Sequence, residues 1–249
     1  MAEPSYDFSG RRVLVTGGTR GLGHLVARTF AACGAEVTVT GTHSLTSFYD
    51  ADLTDFGYHR VDLTDGESIA DVVGVLGPVD ILVNGAAPRL APGLDADERE
   101  FVAHASRIGL VGPFQLASRL RLQMATSAHR GGGAIVNLPS IKRWFDLTHG
   151  NLTADLEVER MTQRIGASWG RLGVRVNSLA APDTVVPAQR SRLSVRIEQA
   201  SAPLLTRTRA PRITTQRDIV DVALFLASGG AAGLTGQTLA VGTVTTSPV

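Results

Sequence analysis

The stretch Thr16-Gly17-Gly18-Thr19-Arg20-Gly21-Leu22-Gly23 decides the fold of this chain. It follows a run of apolar, β-branched residues and precedes a helical stretch that ends before Gly34. A glycine-rich turn between a strand and a helix is typical of a dinucleotide site. Gly17 permits the tight turn, Gly21 lets the backbone approach a pyrophosphate, and Gly23 allows close packing of helix on strand. The helix N-terminus then attracts the pyrophosphate. A tight turn without a ligand is the alternative interpretation of the same residues.

Short β-branched runs alternate with longer helical stretches along the rest of the chain. We predict strands over 12–16, 36–40, 58–61, 80–83, 134–138, 174–179 and 238–241. Helices are expected over 21–33, 67–75, 95–127 with a break near Gly112-Pro113, 151–169 and 218–228. Strands that are separated by helices imply crossover connections and a parallel sheet, and apolar strands need cover on both faces. The expectation is an α/β fold, a Rossmann-type doubly wound parallel sheet with helices on both faces, in one domain over 1–249.

The composition excludes several classes of function. The chain has 249 residues, 43% of them hydrophobic, which is enough to bury a sizeable core. Its net charge is +1, so charge gives no reason to expect nucleic acid or an acidic membrane as a partner. Cys33 is the sole cysteine, the histidines lack metal-ligand spacing, and no apolar run approaches the roughly 20 residues that span a bilayer. We expect a soluble, cytoplasmic protein without a metal.

Several motifs occur in an order that resembles the short-chain dehydrogenase/reductase family. Besides the glycine loop they are Val61-Asp62-Leu63, Asn84-Gly85-Ala86-Ala87, Gly173-Val174-Arg175-Val176-Asn177 and Leu234-Thr235-Gly236-Gln237-Thr238-Leu239. The resemblance runs through nearly the whole chain and implies a nicotinamide dinucleotide as cofactor. The residues expected to hold it are Gly17, Thr19, Arg20, Gly21, Leu22, Gly23, Thr42, Asp62, Leu63, Asn84, Gly85 and Ala86.

The end of the second strand indicates which dinucleotide is bound. NAD-binding proteins place an acidic residue there for the ribose 2′-hydroxyl. Here the position is Gly41, followed by Thr42 and Ser44, whose hydroxyls can donate to a phosphate. Arg20 resembles the basic residue with which many family members hold the 2′-phosphate, although a solvated surface charge is its alternative interpretation. We therefore predict NADP(H) rather than NAD(H).

The catalytic half of the family pattern is mostly missing. The family uses Tyr-x-x-x-Lys, in which the Tyr is the general acid/base, together with a Ser and an Asn. Ser140 matches the Ser, whereas the Asn position falls on Gly109. Counting back from the Arg-Val-Asn motif places Asn151 and Asp155 at the Tyr and Lys positions. A register shifted by two would place Thr153 and Glu157 there instead.

Polar residues close to these positions are candidates to replace the missing Tyr and Lys. The amide of Asn151 can hydrogen-bond a carbonyl, and Asp155 shares its helix face. An ordinary first-turn carboxylate is the competing interpretation of Asp155. Lys142, two residues after Ser140, is the first alternative proton donor, with Asp146 and His149 behind it. Each of these three also fits a solvated loop charge.

Three hypotheses for function follow from this mixture. The first is an atypical NADP(H)-dependent oxidoreductase, similar to a ketoreductase, that acts on a small apolar carbonyl or hydroxyl compound, as in secondary metabolism. The second is a non-redox enzyme on the same scaffold, such as a cyclase, dehydratase or isomerase. The third is a catalytically silent dinucleotide-binding subunit that pairs with an active homologue. The segment 183–212 resembles a substrate lid, and the resemblance implies a homodimer or homotetramer.

Overall fold

The protein forms one parallel sheet of seven strands flanked by helices, in a computed structural model that describes residues 5–87, 104, 106–138, 153–180 and 215–241. For 153–157 it describes the backbone alone. The strands are β1 Arg12–Thr16, β2 Glu36–Gly41, β3 Gly57–Arg60, β4 Ile81–Asn84, β5 Gly133–Asn137, β6 Val174–Ala180 and β7 Thr238–Ala240. The helices are α1 Gly21–Ala32, α2 Gly66–Val75, α3 Gly112–Met124, α4 Thr153–Gly170 and α5 Gln216–Ala227.

The strand order is β3-β2-β1-β4-β5-β6-β7, and every neighbouring pair is parallel. The order reverses between β1 and β4. In open parallel sheets, ligands bind in the crevice outside the carboxyl ends of the strands at such a reversal. The predicted doubly wound α/β fold is therefore confirmed, and its topology points to the loops after β1 and β4.

Alternation along the strands divides the core into two layers. In β1, Val13 and Val15 join the layer beneath α1 and α5, while Leu14 joins the layer beneath α2, α3 and α4. Phe30 of α1 and Leu120 of α3 are fully buried in these two layers. Successive side chains of a strand point to opposite faces, so an apolar strand such as β1 has to be covered twice.

The helix around Gly112-Pro113 differs from the prediction of a break. A π-helical turn over Arg107–Val111 leads directly into α3, and Val111 and Gly112 both keep right-handed helical backbone angles. Pro113 occupies the start of α3, where its missing N–H removes no helical hydrogen bond. The chain therefore changes its hydrogen-bonding pattern here without leaving the helix. The carbonyl group and the Cβ of Leu63 pack against this point, where Gly112 offers no Cβ.

Candidate functional site

The glycine loop after β1 has the geometry of a backbone built for close approach. Gly17 has φ +66°, and a Cβ there would lie 2.6 Å from the Cα of Ala86. Gly21 has φ +54° and faces open space. A Cβ on Gly23 would overlap the carbonyl oxygen of Gly17. Larger residues at Gly17 or Gly23 would therefore separate the loop from its neighbours, whereas the space at Gly21 is available to a ligand.

The N-terminus of α1 is suited to an anion. Arg20 precedes the helix with extended backbone and makes no capping bond with its side chain, and the first turn of the helix contains no acidic residue. The first N–H groups of a helix have no intrahelical acceptor, and they carry the positive end of the helix dipole. By contrast, α2 and α5 are capped by Asp65 and Thr215. The residues after β1 thus fit the pyrophosphate of a dinucleotide.

Thr16 ties the glycine loop to the loop that follows β4. Its buried hydroxyl accepts from the N–H of Gly85 at 3.2 Å and from the N–H of Ala86 at 3.4 Å. The carbonyl of Thr16 also accepts from Gly85, at 3.1 Å. These bonds hold the two loops at the β1/β4 reversal against each other, so that predicted cofactor residues from two motifs line one crevice.

The predicted cofactor residues Asp62, Leu63 and Thr42 lie on the side of β1 away from β4. One carboxylate oxygen of Asp62 accepts from the N–H and the hydroxyl of Thr64, at 2.9 and 2.7 Å. The hydroxyl bond comes first among the causes that hold the pKa of Asp62 below its usual value. Leu63 is buried beside it, while Thr42 is exposed beyond the end of β2. Asp62 is therefore ionised and fixed in a local turn, with its second oxygen unused by Thr64.

A level of polar side chains crosses the sheet just below the crevice. Strand register aligns one polar residue from each of six strands: Thr40, Thr16, Asn84, Asn137, Ser178 and Thr238. Most of these side chains are buried. We call this set the polar tier. Sequence reasoning identified Asn84 alone as part of a site. The sequence signal that could have identified the other five residues is a polar residue at or near the carboxyl end of each successive strand.

Hydrogen bonds within the polar tier run in one direction towards α4. Asn84 donates to Asn137 at 2.8 Å, and Asn137 donates to Ser178 at 3.0 Å. Thr162 of α4 lies 2.7 Å from Ser178 and donates to the carbonyl of Val158. Because the Thr162 proton is committed to Val158, Ser178 must be the donor to Thr162. The chain of bonds holds α4 over the ends of the strands.

A cavity of about 210 Å³ lies between this part of the sheet and the helices α3 and α4. Its walls include Phe114 and Trp169, whose rings stack with centroids 6.1 Å apart. Asn84 Oδ1 and Thr238 Oγ1 are buried and have no hydrogen-bond partner among the residues that the structure describes, and both residues line the cavity. The walls are mostly apolar, with unused hydrogen-bonding capacity at the polar tier.

Most predicted catalytic side chains lie outside the described residues. These are Ser140, Lys142 and Asn151, with Asp146, His149 and the predicted lid over 183–212. Asp155 lies in α4, where the structure describes its backbone alone. Gly109, at the family Asn position, lies in the π-helical turn and lines the cavity. Glu159, one helical turn beyond Asp155, also lines the cavity, although the sequence motifs did not single it out.

Across the described ranges, no group of three or more His, Cys, Asp or Glu side chains is arranged to hold a metal ion. No helix among those described is both long and apolar enough to cross a bilayer.

Comparison with known proteins agrees with the motifs and the topology. A family model described as Enoyl-(Acyl carrier protein) reductase matches residues 17–243. The chain belongs to the short-chain dehydrogenase/reductase family. Gluconate 5-dehydrogenase of Gluconobacter oxydans (strain 621H) is 29% identical to this family member over 97% of each chain.

Solved structures of the family resemble this chain along nearly its whole length. Hydroxysteroid dehydrogenase from Escherichia coli superposes with a TM-score of 0.72 at 26% identity, covering 94% of this chain and 96% of its own. A gluconate 5-dehydrogenase from Burkholderia cenocepacia J2315, solved in complex with NADP and tartrate, gives a TM-score of 0.69 at 25% identity and covers 95% of each chain.

Proposed function

We propose that this protein is an NADP(H)-dependent oxidoreductase that acts on a small apolar carbonyl or hydroxyl compound. In this proposal the protein uses a residue other than Tyr as its proton donor. The observation that carries the proposal is the crevice between the loops after β1 and β4. There the α1 N-terminus, with no capping bond from the Arg20 side chain and no acidic residue in its first turn, lies close to the Asn84-Gly85-Ala86 loop. The NADP bound in the Burkholderia relative supports the choice of dinucleotide.

The cofactor residues divide between the two halves of the dinucleotide. The Gly17–Gly23 loop and the α1 N-terminus would hold the pyrophosphate. Arg20 and Thr42 would hold the 2′-phosphate, Asp62 and Leu63 the adenine, and the Asn84-Gly85-Ala86 loop the nicotinamide half. A bound NADPH supplies a hydride to the carbonyl carbon. The chain must orient that carbonyl and deliver a proton to its oxygen.

The polar residues around the start of α4 are the proposed source of that proton. Ser140 would polarise the substrate oxygen, and the Asn151 amide would hydrogen-bond it. Lys142 is the first candidate for the proton donor. Asp155 would accept hydrogen bonds from ribose hydroxyls. It would not lower the pKa of a neighbouring acid as the family Lys does, because a carboxylate carries no positive charge.

The cavity supports an apolar substrate over a polyol. Phe114, Trp169 and Ile165 form a wall without polar atoms apart from the indole N–H. A sugar acid would leave its hydroxyls unpaired against such a wall, at a cost of about 1–3 kcal/mol for each group. A flat apolar ketone with one or two polar groups would lose less, and its donor could pair with Asn84 Oδ1.

The assembly proposed with this function is a homodimer or homotetramer through the long helices. Val111, at the end of the π-helical turn, forms an exposed apolar stripe with Phe114 and Leu122 of α3, and Leu172 is exposed just beyond α4. Such a stripe on a helix is a common basis for association of subunits. An assembly with an active homologue through the same surface is the alternative.

Titration calorimetry and absorbance assays test the proposal. We expect NADPH to bind more tightly than NADH, and NADPH to be oxidised in the presence of flat apolar ketones but not of the keto forms of gluconate-type sugar acids. Lys142→Gln and Ser140→Ala should each lower kcat by at least about a hundredfold while leaving NADPH affinity unchanged. Tight NADPH binding without oxidation across the ketone panel would reject the redox function and favour a binding subunit. Stronger NADH binding would reject the proposed cofactor.

A further inference from the structure

Tyr49 occupies the space that a side chain at the end of β2 would need. A Cβ built on Gly41 would lie 2.8 Å from Tyr49 Cζ and would overlap the Tyr49 hydroxyl oxygen. The same Cβ would lie 2.9 Å from Thr19 Cγ2 in the glycine loop. An acidic side chain at position 41 cannot be accommodated while Tyr49 keeps this position. The loss of the carboxylate and the placement of Tyr49 are therefore two parts of one arrangement.

A closed ring of hydrogen bonds fixes Tyr49 to the turn that follows β2. The N–H of His43 donates to the Tyr49 hydroxyl at 2.9 Å, and the Tyr58 hydroxyl donates to the carbonyl of His43. The two tyrosine oxygens are 3.2 Å apart. Because the Tyr58 proton is directed to His43, Tyr49 is left to donate to Tyr58. The backbone of His43 is thus held at both its N–H and its C=O.

The surroundings of this ring favour an anion. The segment from Thr42 to Tyr49 contains no carboxylate. The Arg60 side chain donates to the carbonyl of Thr42 at 3.0 Å, which places a cation at the base of the turn. Arg20 of the glycine loop directly follows Thr19, the residue whose Cγ2 lies close to position 41. The His43 ring lies 5.1 Å from the Tyr49 ring and 5.4 Å from the exposed ring of Phe48.

The acidity of Tyr49 agrees with the hydrogen bonds that its hydroxyl makes. Burial of its ring acts to raise the pKa. Hydrogen bonding with Tyr58, with the His43 N–H and with Thr42 outweighs this effect, so that the pKa of Tyr49 lies below its usual value. Burial and the nearby Tyr49 raise the pKa of Tyr58. The two hydroxyls of the pair therefore differ in acidity, and Tyr49 is the more acidic of the two.

We infer that Tyr49 is a positioning residue that selects the 2′-phosphate of NADP(H), by filling the space of an acidic side chain at Gly41 and fixing the Thr42–His43 turn. The inference rests on the proposed NADP(H) binding and adds to it the residues that set the preference. Tyr49 acts through the turn: with His43 held at both ends, the hydroxyls of Thr42 and Ser44 are kept beside the place where the ribose 2′ group must lie.

Binding measurements on matched tyrosine variants test this inference. Tyr49→Phe keeps the aromatic ring but removes the hydroxyl, and so breaks the closed cycle of hydrogen bonds with Tyr58 and His43. We expect it to weaken NADP(H) about tenfold and to leave NAD(H) affinity within about twofold. Tyr6→Phe is the control, because Tyr6 lies beside Phe8, with ring centroids 6.2 Å apart, and near Asp221 of α5 rather than in the turn. An unchanged NADP(H)/NAD(H) ratio in Tyr49→Phe would overturn the inference.

A second pair of variants tests the steric part. Gly41→Asp should bind neither dinucleotide well, because the new side chain overlaps Tyr49. The double variant Gly41→Asp with Tyr49→Ala should bind NAD(H) at least about tenfold more tightly than Gly41→Asp does. Thermal melts show whether each variant is folded. If the double variant folds but binds NAD(H) no more tightly than Gly41→Asp does, then Tyr49 is not what excludes a carboxylate from position 41.

Tyrosinate absorbance reports the ionisation of Tyr49. If Tyr49 had only a structural role, NADP⁺ and NAD⁺ would shift this titration equally. The chain has three tyrosines, so the contribution of Tyr49 can be isolated with Tyr49→Phe. A 2′-phosphate beside Tyr49 should raise its pKa, since a second negative charge opposes ionisation. NADP⁺ should therefore shift the tyrosinate titration upwards more than NAD⁺ does. Equal shifts in a wild type that prefers NADP(H) would reject the role of Tyr49 alone. A wild type that prefers NAD(H) would reject both this inference and the proposed cofactor.

Discussion

At the scale of single residues, Gly17 and Gly10 share a left-handed backbone but differ in their surroundings. Their φ angles are +66° and +73°, and a Cβ would meet the Ala86 backbone at Gly17 but nothing within 4 Å at Gly10. Both Gly→Ala variants should lose about 1 kcal/mol of stability from the backbone alone. Gly17→Ala should in addition weaken dinucleotide binding at least about tenfold, because the loops after β1 and β4 must separate. Calorimetric titration beside urea denaturation measures both effects. Similar affinities for the two variants would show that this close approach is not needed for binding.

The residues of the site differed in how far the sequence could predict them. A glycine position announces its own constraint, because other residue types rarely adopt its backbone or fit its contacts. Gly17, Gly21 and Gly23 could be assigned roles on that basis. Tyr49 could not be, since its effect on Gly41 depends on a contact across eight positions of irregular chain. The role of Asp155 stays a prediction, because the residue type there fits both a helix first turn and a ribose contact.

At the scale of helices and strands, Thr162 connects α4 to the polar tier. It donates to the Val158 carbonyl and accepts from Ser178, whereas Thr29 of α1 makes only the equivalent bond within its helix, to Leu25 at 2.8 Å. Thr162→Val should lower the free energy of unfolding by about 1–3 kcal/mol, because Ser178 loses its acceptor inside the core. Thr29→Val, the control, should cost less than about 1 kcal/mol. Denaturant titration compares the two, and equal losses would mean that the bond to Ser178 adds nothing.

Strand positions followed from the sequence, but the pairing of their polar residues did not. Apolar, β-branched runs bounded by glycines predict where a strand begins and ends, and the strands lie within about two residues of the predicted bounds. The polar tier depends on the register between strands that are distant in the chain. Asn84 and Asn137 meet because β4 and β5 align at those residues. Local patterns carry no information about that register.

At the scale of the whole molecule, Asp80 links stability to pH. It lies at the end of the sheet opposite the crevice. Its carboxylate accepts from the N–H and Nε of Arg12, at 3.0 and 3.1 Å, and from the Ser127 hydroxyl at 2.8 Å. Burial acts to raise the pKa of Asp80, but these bonds outweigh burial and lower it. A carboxyl whose folded pKa is depressed stabilises the fold above its unfolded pKa, and this contribution is lost as pH falls through the folded pKa.

Asp80→Asn should therefore cost about 2 kcal/mol at pH 7, and this cost should shrink below about pH 4, where the wild type loses the same contribution. Asp52→Asn is the control. The pKa of Asp52 is also lowered, chiefly by the N–H of Thr54, but its carboxylate is exposed. Urea denaturation of the three proteins between pH 7 and pH 3 measures the differences. A cost for Asp80→Asn that did not change with pH would assign it to packing rather than to charge.

The exposed stripe on α3 predicts how copies of the chain associate. Leu122 is 64% exposed on α3, and Val75 is 67% exposed at the end of α2. If subunits pair through the long helices, Leu122→Glu places a charge in an apolar interface, which should weaken association by at least about 2 kcal/mol. Val75→Glu makes the same chemical change outside that surface and should leave the assembly intact. Sedimentation velocity over a range of concentrations measures the dissociation constant of each variant. A wild type that stays monomeric, or a loss of assembly in Val75→Glu alone, would place the interface elsewhere.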